Sequence, residues 1–441
     1  MKHGYSQAWV EAQTLKTMEQ WSLCAPTALP VGKHFTAKEH RAHEKAYDKG
    51  LRAVEREHQR QREGKRSSPA SAERLEIAER MVALFPQFAS IALGLSEEQS
   101  RLITGSFLPM GTELARWSRR FDPTLSNADI LQACRNAWTC CGLQALLGKP
   151  IELTPAVVAY CLLYPYSDNY LDHPGMSTGD KLGFSRRLGR RLQGAVVTPE
   201  NRHEASVWSM VQLIEEQHAR FEYPQVYDCL LAIHQAQVES IRQLTNGAPL
   251  ALDPLENADV LRISCAKGGT SVLADACLVE PLLTSQAVQF SFEWGVLLQL
   301  GDDLQDVGED LGRGSITLFT RAIRQGKTLD GLIGKLLNFS KQIAGRMDSM
   351  PHGTPALKSL LGISWRSLIL MAVADVQGYC SPAFLAEIEP GSSFRFQFLS
   401  ERSQQLAGRE RFYNGLFDAF VEAGGVNQSA LPMPPTLGVG S

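Results

Sequence analysis

Two segments of this 441-residue chain place carboxylates at spacings that let them share divalent cations. In YPYSDNYLDHPG, residues 164–175, Asp168 and Asp172 stand four apart, about 40° from one another around a helix. In LLQLGDDLQDVGEDLGRGS, residues 297–315, Asp302, Asp306 and Asp310 fall at i, i+4 and i+8, with Asp303 and Glu309 beside them. Like charges along one face weaken a helix. The apolar approach FSFEWGVLLQL shows that this second cluster emerges from a buried helix rather than a solvated one. A cation between the carboxylates would relieve the repulsion. Hard oxygen donors suit Mg²⁺, which takes one or two carboxylates and completes its shell with water and phosphate. Neither cluster offers the His and Cys set that zinc prefers. A lone DxxxD is common on exposed helices and means little; two acidic clusters in one helical chain mean more.

Cationic side chains follow the acids. Lys267 is alone in the apolar stretch ISCAKGGTSVLADACLV, and Gly268 and Gly269 after it admit a close approach or a bend, either of which suits a ligand pocket. Arg313 lies within one turn of Asp310. Arg186, Arg187, Arg190 and Arg191 follow the first cluster in GFSRRLGRRL. The arginine fork matches phosphate oxygens, although the ordinary reading of the 186–191 group is a basic surface.

The elements that must position these groups read as helices almost throughout. Apolar residues recur at three- and four-residue spacing over 73–94, 127–147, 155–172, 204–221, 226–245, 259–279 and 284–310, separated by short connectors such as GKP and NGAP. No βαβ rhythm or tandem repeat is visible. Residues 33–66 hold eleven Lys and Arg against six Asp and Glu, and predict a solvated helix with a linker over 64–72. The chain therefore divides into a charged helical extension and linker over 1–70, one α-bundle over 71–423, and an uncharged disordered tail over 424–441.

Composition limits the partners. Forty-four basic residues against 47 acidic ones argue against a nucleic-acid binder. No uncharged apolar run reaches the roughly 18 residues of a membrane span. The nearest, 356–375, is broken by Lys358 and Arg366. Residues 1–30 lack a signal-like pattern, and nine scattered cysteines with no CxxC pair suit a reducing, cytoplasmic setting.

These residues resemble the class I isoprenoid synthases, in which two Asp-rich helices face each other with a Lys on an intervening helix. DNYLD at 168–172 resembles the first Asp-rich motif. GDDLQD at 301–306 resembles the second, and Asp302, Asp306 and Asp310 also fit the shape of the terpene-cyclase metal triad. The strings RNAWTCCGLQALLGKP, YSDNYLDHPG, KGGTSVLADACLV and LGDDLQDVGEDLGRGSITLFT are most similar to the bacterial large-terpene cyclases of the tetraprenyl-β-curcumene synthase type. The likeness is close over 125–325 and loose over 70–420. The basic GGKxxRP motif of chain elongators is missing around 110–125, as is the RRG after their first Asp motif. Arg411 in ERFYNG is a weak match to the diphosphate sensor of many cyclases.

The resemblance implies a helical bundle around a central apolar cavity, and a lyase that ionises a prenyl diphosphate of C10 to C35 and cyclises the carbocation. It implies about three Mg²⁺ ions, with Mn²⁺ as a substitute. Asp168, Asp172, Asp302, Asp303, Asp306 and Asp310 become the expected metal ligands, and Lys267, Arg313 and Arg187 the expected diphosphate contacts. Tyr164, Tyr166, Tyr170, Trp138, Phe292 and Trp294 are candidates for the cavity wall, though aromatics at helical spacing are more often core. A peripheral membrane contact and a homodimer are compatible with this reading. The alternative function is a prenyltransferase, either chain-elongating or coupling two diphosphates head to head.

Overall fold

The computed structural model describes residues 4–27, 34–64, 90, 94–172, 175–243 and 256–407, with 414, 417, 418, 421, 431, 433 and 434. The helix expected over 73–94 lies almost wholly outside the described residues, as do Arg411, most of the 64–72 linker and most of the 424–441 tail.

All described structure is helical, with no strand among the described residues. The chain opens with α1 (Gln7–Leu23) and α2 (Ala37–Gly64), then α3 (Glu97–Leu102), a π-turn over Ile103–Phe107 and α4 (Leu108–Phe121). The helices α5 (Asn127–Leu146), α6 (Pro155–Asp172), α7 (Thr178–Leu192), α8 (Arg202–Gln217) and α9 (Pro224–Ser240) follow. The acidic region is carried by α10 (Asn257–Val279), α11 (Ser285–Gln305) and α12 (Val307–Arg313). The remainder is α13 (Leu318–Arg324), α14 (Asp330–Asp348), α15 (Pro355–Val376), α16 (Pro382–Ile388) and α17 (Phe396–Ala407).

Side-chain caps set many of the starts. Ser126 and Asp129 close a reciprocal capping box at α5, and Ser177, Asn201, Thr284 and Thr354 accept from the third helical amide of their own helices. Each satisfies an orphan donor that the helix leaves unpaired.

Backbone contact fixes the central pair, α10 and α11. A Cβ on Gly295 would stand 2.0 Å from the Gly268 carbonyl oxygen, and one on Gly269 would stand 2.5 Å from the Phe292 ring. The double glycine therefore serves helix packing. What approaches it is the neighbouring helix, where a ligand was one of the sequence expectations. This crossing lies one to two turns before Asp302 and beside Lys267, so it sets how close those charges come.

The N-terminal segments are built into the bundle. Tyr5 and Trp21 are buried, and Trp9 packs edge-on to Phe292. The first half of α2 is docked where a solvated helix was expected: His40 Nε2 donates to the Ser392 carbonyl at 2.9 Å, and Glu44 accepts from Arg395. Glu44 retains only 9% of its side-chain exposure there. Opposite charge on α17 and the rings Phe394 and Phe398 explain the docking, and neither is visible in the local pattern of α2.

Among the described residues one helix, α15 with the turn that follows it, is long and apolar enough to cross a membrane. Half of its apolar window is buried in the bundle, with Trp365 against Trp294. All nine cysteines are free thiols, most of them buried as small core residues.

Candidate active site

Helices α11 and α12 form one interrupted rod. Asp306 sits at the break (φ −91°, ψ 10°), yet its amide still bonds to the Asp302 carbonyl at 2.9 Å, and the Asp310 amide bonds to the Asp306 carbonyl at 2.9 Å. These two bonds link the three aspartates in succession across the break, and Asp306 acts electrostatically on both Asp302 and Asp310. Gly314, at φ +80°, ends the rod with a left-handed turn, and the Ser315 amide bonds back to the Asp310 carbonyl.

Desolvation raises all three carboxyls of the stripe. Asp302 is exposed to water, yet desolvation, opposed by Arg135 and Lys267, pushes its carboxyl up to about 6. Asp310 rises to about 6 through desolvation and the charges of Asp306 and Glu309, against hydrogen bonding by Ser315. Asp306 is raised by desolvation and Glu309, with Arg135 and Arg313 opposing. The stripe is thus crowded by protein although Asp302 and Asp306 stay reachable by water.

Asp303 faces another way. It is buried between the two central helices, where its oxygens accept from Ser264 Oγ at 3.0 Å and Gln299 Nε2 at 2.9 Å. Burial raises it to about 7 despite these donors. It ties α11 to α10, three residues from Lys267, and Lys267 acts electrostatically on both Asp302 and Asp303.

Arg135 completes the group. It projects from α5 and lowers both Asp302 and Asp306. In the sequence Arg135 is the one charged residue in 130–148. That is the same signal that drew attention to Lys267. Arg313, on α12, acts on Asp306 and Asp310 and pairs with Glu309 one turn back.

The first acidic cluster ends α6. The helix runs to Asp172, but the side chains of Asp168 and Asp172 lie outside the described residues. The structure does describe how this end is held. Tyr166 donates to Asp122 at 2.6 Å, His203 Nε2 donates to the Tyr166 carbonyl at 2.7 Å, and Tyr170 stacks on His203 with centroids 4.0 Å apart.

Arg187 belongs to this framework. It makes a two-pronged ion pair with Glu204, which is fully buried, and also reaches Glu200 at 2.9 Å. Its fork is committed to a carboxylate in the space where a diphosphate contact was expected. Arg191 is likewise committed, to Glu215 at 2.6 Å.

Of the candidate wall aromatics, most are core. Phe292 and Trp294 are buried against Gly269 and Gly142, Tyr166 and Tyr170 serve the α6 framework, and Trp138 packs on Phe107. Tyr164 alone of the six lines a pocket among those described.

No protein-family model, curated protein or solved structure matches this chain. The chemistry rests on the residues themselves.

Proposed function

We propose that this protein is a class I terpene synthase, which releases diphosphate from a prenyl diphosphate and cyclises the resulting carbocation. The observation that supports it best is the meeting of three helices at the acidic stripe. Asp302, Asp306 and Asp310 follow one another along the rod, Arg135 comes from α5, and Lys267 comes from α10. An arrangement of repelling carboxylates with cations at its edge is costly unless it binds something that carries both charges. A metal–diphosphate unit does.

The donor set fits magnesium. The stripe offers carboxylate oxygens and nothing softer. No group of three or more metal-ligating side chains converges among the described residues, but Mg²⁺ normally takes only one or two carboxylates and keeps its water. Asp302, Asp306 and Asp310 would hold the ions on this wall, and Asp168 and Asp172 would hold them on the other. Bound magnesium supplies charge neutralisation of the leaving diphosphate.

The protein's own residues do the rest. Lys267 and Arg135 bind the phosphate oxygens from two sides and orient the ester toward the bundle interior. Arg313 contributes at the outer edge. Asp303 holds α11 against Ser264, and so positions Asp302 relative to Lys267. The reading requires apolar walls below this charged group, to exclude water from a reactive carbocation.

The test is turnover with purified protein, Mg²⁺ and prenyl diphosphates. Asp302→Ala and Asp168→Ala should each abolish diphosphate release while helical circular dichroism stays unchanged. Activity surviving both substitutions contradicts the reading. Products formed only from two different diphosphates would favour a prenyltransferase instead.

A further inference from the structure

The stripe of α6 that carries Asp172 and Asp168 continues inward at four-residue spacing through Tyr164 and Tyr160. There Tyr160, Tyr164 and Ser167 line a narrow pocket closed by Leu188 of α7 and by Ile233 and His234 of α9. The Tyr160 hydroxyl donates to the Ser271 carbonyl at 2.9 Å, and Ser271 lies one turn beyond Lys267 on α10. The pocket thus lies among α6, α7 and α9, and the Tyr160 hydrogen bond ties its wall to α10. Its lining is mostly aliphatic and aromatic.

His234 is the exception. It is 7% exposed, and its Nε2 lies 2.9 Å from the Ser185 carbonyl oxygen. A carbonyl only accepts, so Nε2 carries the proton and Nδ1 presents a bare lone pair. Nδ1 is buried and has no hydrogen-bond partner among the described residues. A buried acceptor of this kind calls for an explanation, because such atoms are normally paired. The ring packs against Gly189 of α7. Burial lowers the affinity of the ring for a second proton, so it stays neutral.

Other groups near the pocket are unsuited to accept a proton. Ser167 Oγ donates to the Leu163 carbonyl at 2.7 Å. Asp275 is fully buried beside Cys140, and its carboxyl is pushed up to about 8, so it is already protonated at neutral pH.

We propose that His234 Nδ1 is the base that ends the reaction, taking a proton from the carbon next to the cationic centre of the prenyl chain. The proposal rests on the terpene-synthase reading above. In this step the C–H bond breaks and its electron pair becomes the new C=C bond. The proton forms an Nδ1–H bond, giving an imidazolium that returns the proton to the departing diphosphate or to water as product leaves. The Tyr160 and Tyr164 rings flank the cation during the transfer.

The experiment compares wild type with His234→Gln, reading Mg²⁺-dependent diphosphate release and the product spectrum by mass spectrometry. Glutamine can keep a donor near the Ser185 carbonyl but has no lone pair in the place of Nδ1. Diphosphate release should stay within about threefold of wild type, since ionisation precedes the step. The product should change, to an olefin with its double bond elsewhere or to an alcohol formed by water capture. His234→Asn, which gives up the Ser185 contact, serves as a second variant should the first not fold, with the same product change expected. Normal release with an unaltered product from either folded variant overturns the assignment of His234. Absence of release from wild type on every prenyl diphosphate overturns the underlying reading instead.

Discussion

Replacing Gly295 by alanine tests whether backbone contact between α10 and α11 sets the site. The new Cβ would lie 2.0 Å from the Gly268 carbonyl oxygen and 2.7 Å from its carbon. Ordinary contact begins near 3.4 Å, so the helices must part by about 1.4 Å. Neither partner is a flexible side chain, so no rotamer change relieves the clash. The same movement stretches the 3.0 Å Ser264–Asp303 hydrogen bond past any useful length. Overpacking costs about 1–3 kcal/mol, and a buried carboxyl deprived of a partner costs about 1–3 kcal/mol more. For a chain of this size each kcal/mol is worth roughly 1 °C, so the melting temperature should fall by roughly 2–6 °C. Turnover should fall on the order of 100-fold, the usual consequence of a misplacement of about 1 Å at a reacting centre. Gly345→Ala, on α14 with nothing within 4 Å of its Cβ, is the control, and should stabilise by about 0.5–1 kcal/mol through helix propensity. The assays are thermal unfolding by circular dichroism and diphosphate release. Wild-type melting and wild-type turnover in Gly295→Ala would refute the reasoning.

Further outcomes follow from the charges. Asp302, Asp303 and Asp310 are raised to about 6, 7 and 6, above the carboxyl value in an unfolded chain, so the folded state binds protons more tightly. Stability should therefore fall as pH rises from about 4 to 7. Added Mg²⁺ should raise the melting temperature clearly at pH 8 and little at pH 5, and an equal rise at both would contradict the stripe as its site. Asp302→Asn should make the metal-free protein more stable at pH 8 while removing turnover. Asp275→Asn should be close to neutral at pH 6 and stabilising above pH 8, because the wild-type carboxyl must ionise in the core there; a large loss at pH 6 in urea melts would count against a protonated Asp275. Arg187→Ala leaves fully buried Glu204 unpaired and should cost about 3–5 kcal/mol, whereas an unchanged melting temperature would show the pair to be dispensable.

The all-helical character was legible because helical periodicity survives even where burial is high. The segment read over 155–172 is α6, and 259–279 lies within α10. The break at Asp306 was not legible, since the i, i+4, i+8 spacing reads the same whether or not the helix is interrupted. That Asp302, Asp306 and Asp310 come near one another was legible from spacing alone. Asp303 was grouped with them by adjacency, but adjacent helical residues point about 100° apart, and that angle turns it toward Ser264. Arg187 looked available because its partner Glu204 sits seventeen residues away on another helix. The glycine pair suggested a ligand because sequence does not name the neighbour that fills the space. His234 carried no signal at all: one histidine on an apolar helix is usually core, and only the Ser185 carbonyl reveals which nitrogen is bare.

The central claim is that the acidic stripe serves a metal–diphosphate site, and diphosphate release from a C10–C35 panel with and without Mg²⁺ measures it most directly. The account predicts release from at least one member, abolished by chelation and by Asp302→Ala, with a cyclic hydrocarbon or alcohol as product. Release that persists without divalent metal, or none from the folded protein on any member, would contradict it.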